Sequence, residues 1–349
     1  MTSPLPTRNR NLDLIRLIAA ILVLFSHSYP LAGRGSDEPF VLLLGHTGGD
    51  IAVSTFFVIS GFLIAASYIR SQGVIDYLWK RCIRIFPALF CAVIFAIILG
   101  MFLTPLALGD YITHAQTIAY IQNIYLYIHY NLPLVFAENI YPHAVNGSLW
   151  TLPIEVFMYG VILVMGMAGI LSAPFTILTA ALCMAGIFAL QQFPSDSPRI
   201  FLGVAELAVV LRLAVLFFMG AALYFYRKKI RYHGAVALLF CAIIFLTRQH
   251  PLGMYSYTLL LPYIIFYLAS VNVPATDVIT RRGDFSYGIY IYAFPVQQLV
   301  VYWSNNQISV FMLFISSFAI TLCLAMLSWK FVEEPALRRW KPAPRLAAA

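Results

Sequence analysis

The sequence predicts an all-α integral membrane protein: a helical bundle of about ten transmembrane helices with both termini in the cytoplasm. Hydrophobic residues make up 61% of the 349 residues, and charged residues make up only 10%. A soluble domain carries about 25% charged residues, so this composition leaves too few charges for a water-facing surface. No long polar stretch is left that could form a separate soluble domain.

Ten apolar stretches are long enough, at about 20 residues each, to cross a bilayer. The predicted spans are 12–32, 50–69, 85–104, 148–168, 173–190, 203–226, 234–248, 252–270, 286–304 and 308–329. The seventh span is short, and Pro87 interrupts the third. The stretch 111–136 is aromatic and apolar but contains several polar residues, so we interpret it as an interfacial or re-entrant segment of a long outer loop.

The basic residues are distributed unequally between the two sides of these spans. With the N-terminus inside, 17 of the 22 lysine and arginine residues lie on the inner side, and only Arg34, Arg199 and Arg248 lie outside. The positive-inside rule predicts this inequality. A count shifted by one span would remove this inequality, so the distribution of basic residues supports an even number of spans. The net charge of +8 thus indicates membrane orientation and not a nucleic-acid partner.

The N-terminal apolar run is about 20 residues long, which favours a retained first span over a cleaved signal peptide. The cysteines lie in or beside spans and lack the spacing of metal ligands, so we expect no disulfides and no metal. They are Cys82, Cys91, Cys183, Cys241 and Cys323.

Ionisable residues within the first span are candidate functional residues, because such groups are costly in hydrocarbon. The span contains Asp13, Arg16 and His27. Arg16 and His27 are eleven residues apart, which places them on one helix face and roughly 16 Å apart along the axis. Asp13 lies one turn before Arg16 and could pair with it. Each residue also has a purely structural explanation. Arg16 could snorkel to the membrane surface or form an ion pair, and His27 could be hydrogen-bonded at the interface.

The fourth span begins with Ser148 as the predicted N-cap, followed by Trp150 at the membrane interface. Glu155 lies about 10 Å below Ser148, and Arg212 of the sixth span lies at a similar depth. We hypothesise that His27, Glu155 and Arg212 converge. The alternative is a structural pair of Glu155 with Arg212, with His27 elsewhere.

Arg81 and Arg84 are one turn apart just before the third span, so both can face the same way. Alone they would indicate a positive-inside anchor. Arg16 lies at the same leaflet, and three arginines gathered there favour an anionic cofactor, because guanidinium groups bind phosphate in a bidentate manner.

Five stretches of the sequence form an ordered set of motifs. They are Arg16-x10-His27, Gly49-Asp50-Ile51-Ala52-Val53 through Phe62, Arg81-x-x-Arg84 with Pro87, Ser148 through Glu155, and Phe285 through Tyr290 with Phe331 through Pro335 closing the chain. In this order the set resembles the bacterial membrane acyltransferases of acyltransferase family 3, which includes O-antigen and exopolysaccharide O-acetylases. The resemblance covers nearly the whole chain. One departure is Ala293, where the family usually has histidine.

The resemblance implies a membrane acyltransferase domain over residues 1–340 and a short cytoplasmic tail over 341–349, in a multi-pass protein of the bacterial inner membrane. It implies transfer of an acyl group, usually acetyl, from cytoplasmic acyl-CoA to a hydroxyl of a lipid-linked or extracytoplasmic glycan. Motif residues with a supporting role would be Ser148, Trp150, Ser286, Tyr287, Tyr290 and Glu333, and Arg212 of the sixth span, which is outside the motifs, is predicted to have a supporting role as well.

The same resemblance implies roles for the ionisable residues. Arg16, Arg81 and Arg84 would hold the phosphates of the donor. His27 would be the general base on the acceptor hydroxyl, a task suited to a side chain that titrates near neutrality. Glu155 or Asp13 would orient His27 or balance its charge.

A transporter or exporter of an acyl group or a modified glycan is the main alternative, because intramembrane arginine, histidine and glutamate also serve ion relays. Such proteins often have inverted repeats and broken helices in matched halves, which this sequence does not show. A sensor or scaffold would not need Arg16 and His27 on one face. The outer segment 105–146 has several tyrosines and histidines that could stack on sugar rings, although interfacial anchoring also explains them.

Overall fold

The computed structural model describes residues 10–142, 144–193, 199–271, 273, 276 and 283–339. Within these ranges the chain is almost entirely helical, and its single sheet is an antiparallel pair, β1 (Ile200–Phe201) with β2 (Ala205–Glu206). The prediction of an all-α fold is therefore confirmed. Arg8, Arg281 and Arg282, used in the orientation argument, and the predicted tail 341–349 lie outside the described residues.

Fourteen α-helices follow one another in the described parts of the chain. They are α1 (Arg10–Leu31), α2 (Pro39–Leu44), α3 (Gly48–Arg70), α4 (Val74–Leu103), α5 (Leu108–Thr113), α6 (Ala115–Ile121), α7 (Thr151–Met167), α8 (Ala173–Gln192), α9 (Leu207–Tyr226), α10 (Gly234–Thr247), α11 (Gly253–Ser270), α12 (Ser286–Trp303), α13 (Val310–Ser328) and α14 (Glu334–Arg339). A helix lies at each of the ten predicted spans.

Seven helical segments within the described residues are long and apolar enough to cross a membrane by length and composition. They are α1, α3, α4, α8 and α9, the segment Gly147–Met167 that ends with α7, and the segment Val310–Arg339 that begins with α13. This makes the chain a multi-pass membrane protein. The helix α10 is apolar but has only 14 residues. Protein surrounds the helix α12, since every residue from Gly288 to Val301 is buried. A helix that does not face lipid does not need an apolar surface.

The helices α3 and α9 pack closely in the centre of the bundle because each has a glycine at the contact. A Cβ added at Gly61 would overlap the carbonyl oxygen of Phe217, and one added at Gly220 would overlap the carbonyl oxygen of Val58. Small residues let membrane helices approach backbone to backbone, which maximises their van der Waals contact. These two glycines therefore set the distance between α3 and α9.

Buried polar side chains join α12 to its neighbours. Gln297 donates from Nε2 to the carbonyl oxygen of Leu24 and to Ser28 Oγ, at 2.8 Å each, which ties α12 to α1. Inside a membrane protein such donors must find protein acceptors, because lipid offers none. The pairing fixes α12 beside the helix that carries Arg16 and His27.

The stretch 111–136 does not form a span, as predicted. It consists of the end of α5, all of α6, a 3-10 turn at Gln122–Tyr125, and irregular chain. The Tyr111 hydroxyl donates to the carbonyl oxygen of Ile97 at 2.9 Å, and Thr104 donates to that of Pro133 at 2.9 Å. The segment therefore covers the C-terminal end of α4.

Candidate active site

A cavity of about 540 Å³ opens between α1, α3, α4, α7 and α12, and we call it the arginine cavity. Its charged lining residues are Arg16, Arg70, Lys80, Arg81, Arg84 and Glu155. The three arginines predicted to gather do line one cavity, while their shared leaflet and their role in holding a cofactor stay predictions. The volume lies in the range of small-molecule sites, and the surplus of positive charge favours an anionic ligand.

Asp284, which no sequence pattern singled out, binds two of the three arginines. Its Oδ2 accepts from Arg16 Nη1 at 2.7 Å and from Arg84 Nη2 at 2.6 Å. Burial raises the pKa of Asp284, but the charges of Arg16 and Arg84 and the hydrogen bonds from Ser286 outweigh burial and hold that pKa well below its usual range. The expected partner of Arg16 was Asp13, and the partner found is Asp284.

Arg81 differs from the other two arginines because its contacts are not with a carboxylate. Its Nη2 donates to Ser67 Oγ at 3.2 Å, and its guanidinium carbon lies 5.9 Å from the centroid of the Tyr159 ring. Its Nε is buried and has no hydrogen-bond partner within the described part of the chain. Arg81 therefore keeps donor capacity for an anion that enters the cavity.

Replacing Asp284 by asparagine is expected to destabilise the protein by about 3 kcal/mol, because two largely buried arginines would lose their shared carboxylate. Thermal unfolding of the purified protein in detergent measures the effect. Since the folded-state pKa is lowered, the contribution of Asp284 is fully present above the pKa of the unfolded carboxyl, about 3.9, and is lost as the pH falls below it.

The control for this substitution is Asp37→Asn, because Asp37 forms an ion pair with Arg34 at an exposed site. Solvent-exposed pairs contribute little to stability. Equal losses of stability in the two variants would contradict the role assigned to Asp284.

Glu155 lines the arginine cavity and does not pair with Arg212, so the alternative of a structural pair between them is wrong. The carboxylate oxygen Oε1 of Glu155 accepts from Ser60 Oγ at 2.7 Å and from the Tyr159 hydroxyl at 2.6 Å. Both donors come from the walls of the cavity, since Ser60 is on α3 and Tyr159 is on α7. Glu155 thus belongs with the arginines and not with His27.

Arg212 binds Asp50 instead, through both carboxylate oxygens, with Nη1 at 3.3 Å from Oδ2. The same Nη1 donates to Ser54 Oγ at 3.3 Å. The orientation of α3 about its own axis explains why Arg212 and Glu155 have different partners. Asp50 and Ser54 are one turn apart on the face toward α9, whereas Ser60 is six residues further on and faces α7.

A second cavity, of about 620 Å³, is lined by His27, and we call it the histidine cavity. Its charged lining residues are Glu38, Asp50, Glu206 and Arg212. His27 and Arg212 therefore share a cavity, as hypothesised, while the part of the hypothesis that included Glu155 is wrong. The Nδ1 atom of His27 is buried and has no hydrogen-bond partner among the described residues.

Val53 and Tyr290 line both the arginine cavity and the histidine cavity, so the two cavities adjoin at these side chains. The Tyr290 hydroxyl donates to the carbonyl oxygen of Ser148 at 2.8 Å and lies 2.7 Å from Thr151 Oγ1. These contacts fix Tyr290 against the start of α7. Val53 and Tyr290 therefore lie at the boundary between the arginine cavity and the histidine cavity.

The turn before α7 is capped by Asn146 and not by Ser148, which corrects the predicted N-cap. Asn146 Oδ1 accepts from the backbone N–H of Ser148 at 3.1 Å, and its Nδ2 donates to the carbonyl oxygen of Ile291 at 2.9 Å. A 3-10 turn, Gly147–Trp150, precedes the helix, so the cap lies two residues earlier than the helical pattern suggested. Ser148 and Trp150 both line the histidine cavity.

The other motif residues surround the arginines. Tyr287 donates from its hydroxyl to the carbonyl oxygen of Ile85 at 3.0 Å, and Arg84 lies 5.7 Å from its ring centroid. Ser286 donates to Asp284 Oδ1, and Glu333 Oε2 lies 3.4 Å from Arg84 Nη1. These contacts hold the three residues around Arg84 and Asp284.

Asp13 and Ala293 are two further positions of interest in the sequence. Asp13 is not among the residues that line the arginine or histidine cavity in the described chain. Ala293, where the family usually has histidine, is fully buried in α12. Neither position adds a reactive group to the two cavities.

A family model described as an acyltransferase domain matches residues 9–330. The chain belongs to acyltransferase family 3. This acyltransferase is 31% identical over 339 residues to an O-acetyl transferase of Shigella phage Sf6, covering 95% of this chain and 96% of the phage protein. It is 28% identical over 368 residues to nodulation protein 10 of Rhizobium leguminosarum bv. viciae, covering 94% and 93%. No solved structure matches the acyltransferase.

Proposed function

We propose that this acyltransferase is a membrane O-acetyltransferase that moves an acetyl group from cytoplasmic acyl-CoA to a hydroxyl of a cell-surface or lipid-linked glycan. The observation that carries the proposal is the pair of adjoining cavities, one cationic and one lined by His27, with Val53 and Tyr290 between them. The similarity to the phage O-acetyl transferase supports acetyl as the acyl group.

The proposed topology has ten spans with both termini in the cytoplasm of a bacterial inner membrane. A helix at each predicted span supports the count, and the excess of inner lysine and arginine supports the orientation. Arg81 and Arg84 lie near the start of α4, whose 30 residues extend over roughly 45 Å, the thickness of a whole bilayer. In this topology the arginine cavity opens to the cytoplasm, where acyl-CoA is available.

Arg81 is the proposed principal ligand of the donor phosphates. Its buried Nε has no partner in the described chain, and guanidinium groups bind phosphate oxygens in pairs. Lys80 and Arg70 add positive charge to the same cavity, and Arg16 and Arg84 line its wall while bound to Asp284. The thioester end of the donor then extends past Tyr290 toward His27.

His27 is the proposed general base. It accepts the proton of the acceptor hydroxyl as the hydroxyl oxygen bonds to the acyl carbon. The bond between that carbon and the thiol sulfur breaks, and the proton passes from the imidazole to the leaving sulfur. His27 suits this exchange because it lines the histidine cavity, which adjoins the arginine cavity.

Replacing Arg81 by alanine is expected to raise the KM for acetyl-CoA about 10- to 100-fold, because charge-assisted hydrogen bonds contribute about 1.5–3 kcal/mol each. The KM for the glycan should not change. Steady-state kinetics of the purified enzyme in nanodiscs measure both constants. The control is Arg34→Ala, since Arg34 is exposed and does not line the arginine cavity. A change in the KM for acetyl-CoA that is as large in the control would contradict the assignment.

A further inference from the structure

A third cavity, of about 570 Å³, adjoins the histidine cavity, and we call it the aromatic cavity. His27, Pro30, Trp150 and Val204 line both cavities, while no described lining residue is shared with the arginine cavity. The four rings that line it are those of Tyr130, Tyr141, Trp150 and Phe294. His27 therefore lies at the boundary between the histidine cavity and the aromatic cavity.

We propose that the aromatic cavity binds one sugar ring of the acceptor and presents its hydroxyl to His27. This inference rests on the proposed function and adds the location and chemistry of the acceptor site. The described residues that line the cavity include no charged side chain, which favours an uncharged ligand. Aromatic faces are electron-rich and attract the polarised C–H groups on the face of a sugar ring.

Phe294 forms the part of the aromatic cavity next to His27, and its neighbours fix the position of its ring. The ring of Phe294 lies edge-on to His27 with the centroids 5.2 Å apart, and edge-on to Tyr141 at 6.1 Å. A Cβ added at Gly147 would lie 2.7 Å from the Phe294 ring, so only glycine leaves room for this ring. A sugar ring stacked in the cavity would therefore meet His27 in one defined orientation.

Gln298, which is fully buried, holds the loop that carries Tyr141. Its Nε2 donates to the carbonyl oxygens of Tyr141 and Ala144 at 2.7 Å each, and its Oε1 accepts from Asn139 Nδ2 at 2.8 Å. A buried side-chain amide whose nitrogen and oxygen are both hydrogen-bonded is difficult to displace. The aromatic wall is thus formed before any ligand binds, as is usual for small-molecule sites.

The loop that carries Tyr141 places the proposed acceptor site at the opposite end of α4 from the proposed donor site. Arg84 and Leu103 both lie on α4 and are separated by roughly 30 Å along the helix, about the thickness of the hydrocarbon core. Tyr130 and Tyr141 belong to the chain that covers the Leu103 end, where Thr104 binds the carbonyl oxygen of Pro133. Donor and acceptor would therefore approach His27 from opposite faces of the bilayer.

The test measures separate KM values for acetyl-CoA and for the acceptor with the full-length enzyme in nanodiscs. The acceptor probe is surface polysaccharide isolated from the native host and freed of its esters by mild alkali. Tyr141→Ala should raise the KM for the polysaccharide at least tenfold and leave the KM for acetyl-CoA unchanged. Tyr141→Phe, which keeps the aromatic face, should stay within about threefold of wild type.

Val204→Phe is the second variant, because Val204 lies in the turn between β1 and β2 and its side chain lines the cavity. The larger side chain should narrow the cavity and raise the same KM without removing a core residue. Tyr125→Ala is the matched control, since Tyr125 lies in the same outer segment but is 79% exposed. An unchanged KM for the polysaccharide in both Tyr141→Ala and Val204→Phe would overturn the inference, whereas a wild type that transfers no acetyl group would overturn the proposed function itself.

Discussion

Replacing His27 by glutamine is expected to lower kcat for acetyl transfer by about 100- to 10,000-fold, the usual contribution of general acid–base catalysis. Glutamine keeps much of the size and polarity of histidine but cannot accept a proton near neutral pH. The KM for acetyl-CoA should change little, because His27 does not line the arginine cavity. Steady-state kinetics with labelled acetyl-CoA in nanodiscs separate the two constants.

The matched control for His27 is His114→Gln. His114 caps α6, where its Nδ1 accepts from the backbone N–H of Gln116 at 3.2 Å, and it is exposed. Transfer in this control should equal that of wild type. If His27→Gln retains more than a tenth of the wild-type kcat, His27 is not the general base.

Replacing Gly220 by alanine is expected to prevent stable folding or to cost at least about 3 kcal/mol, the upper end of ordinary overpacking. The added methyl group would overlap the carbonyl oxygen of Val58, and backbone atoms cannot move aside as a flexible side chain can. Gly61→Ala should behave alike, because its methyl group would overlap the carbonyl oxygen of Phe217. Both changes force α3 and α9 apart, and α3 carries residues of both cavities.

Gly160→Ala in α7 is the control, since no heavy atom outside its own helix lies within 4 Å of a Cβ added there. Alanine is favoured over glycine in a helix by about 1 kcal/mol, so this variant should be as stable as wild type or slightly more stable. Yield and thermal unfolding in detergent measure all three variants. Equal stability of Gly220→Ala and Gly160→Ala would contradict the described packing of α3 on α9.

Features that depend on local sequence were predictable. The length of an apolar run determines whether a helix can cross a bilayer, so the helices appear where the spans were predicted. The one-turn spacing of Arg81 and Arg84, and their shared leaflet with Arg16, were enough to predict one cationic site. Helical rise also gave the separation of Arg16 from His27 along α1.

Features that depend on the rotation and neighbours of a helix were not predictable. Helical rise gives the depth of Glu155 and Arg212 but not which helix lies between them. The helix α3 occupies that place, and it offers Asp50 to Arg212 and Ser60 to Glu155. Asp284 lies 268 residues from Arg16 in the chain and outside any predicted span, so no periodic pattern connects the two.

We propose that acetyl passes from cytoplasmic acyl-CoA to a glycan hydroxyl at His27. The most direct measurement supplies acetyl-CoA labelled with carbon-13 to sealed inside-out and right-side-out membrane vesicles and detects the label in the glycan by mass spectrometry. We predict a labelled, alkali-labile ester only in inside-out vesicles, and only with wild-type protein and not with His27→Gln. Equal labelling by His27→Gln, or labelling only when acetyl-CoA faces the outer side, would contradict this account.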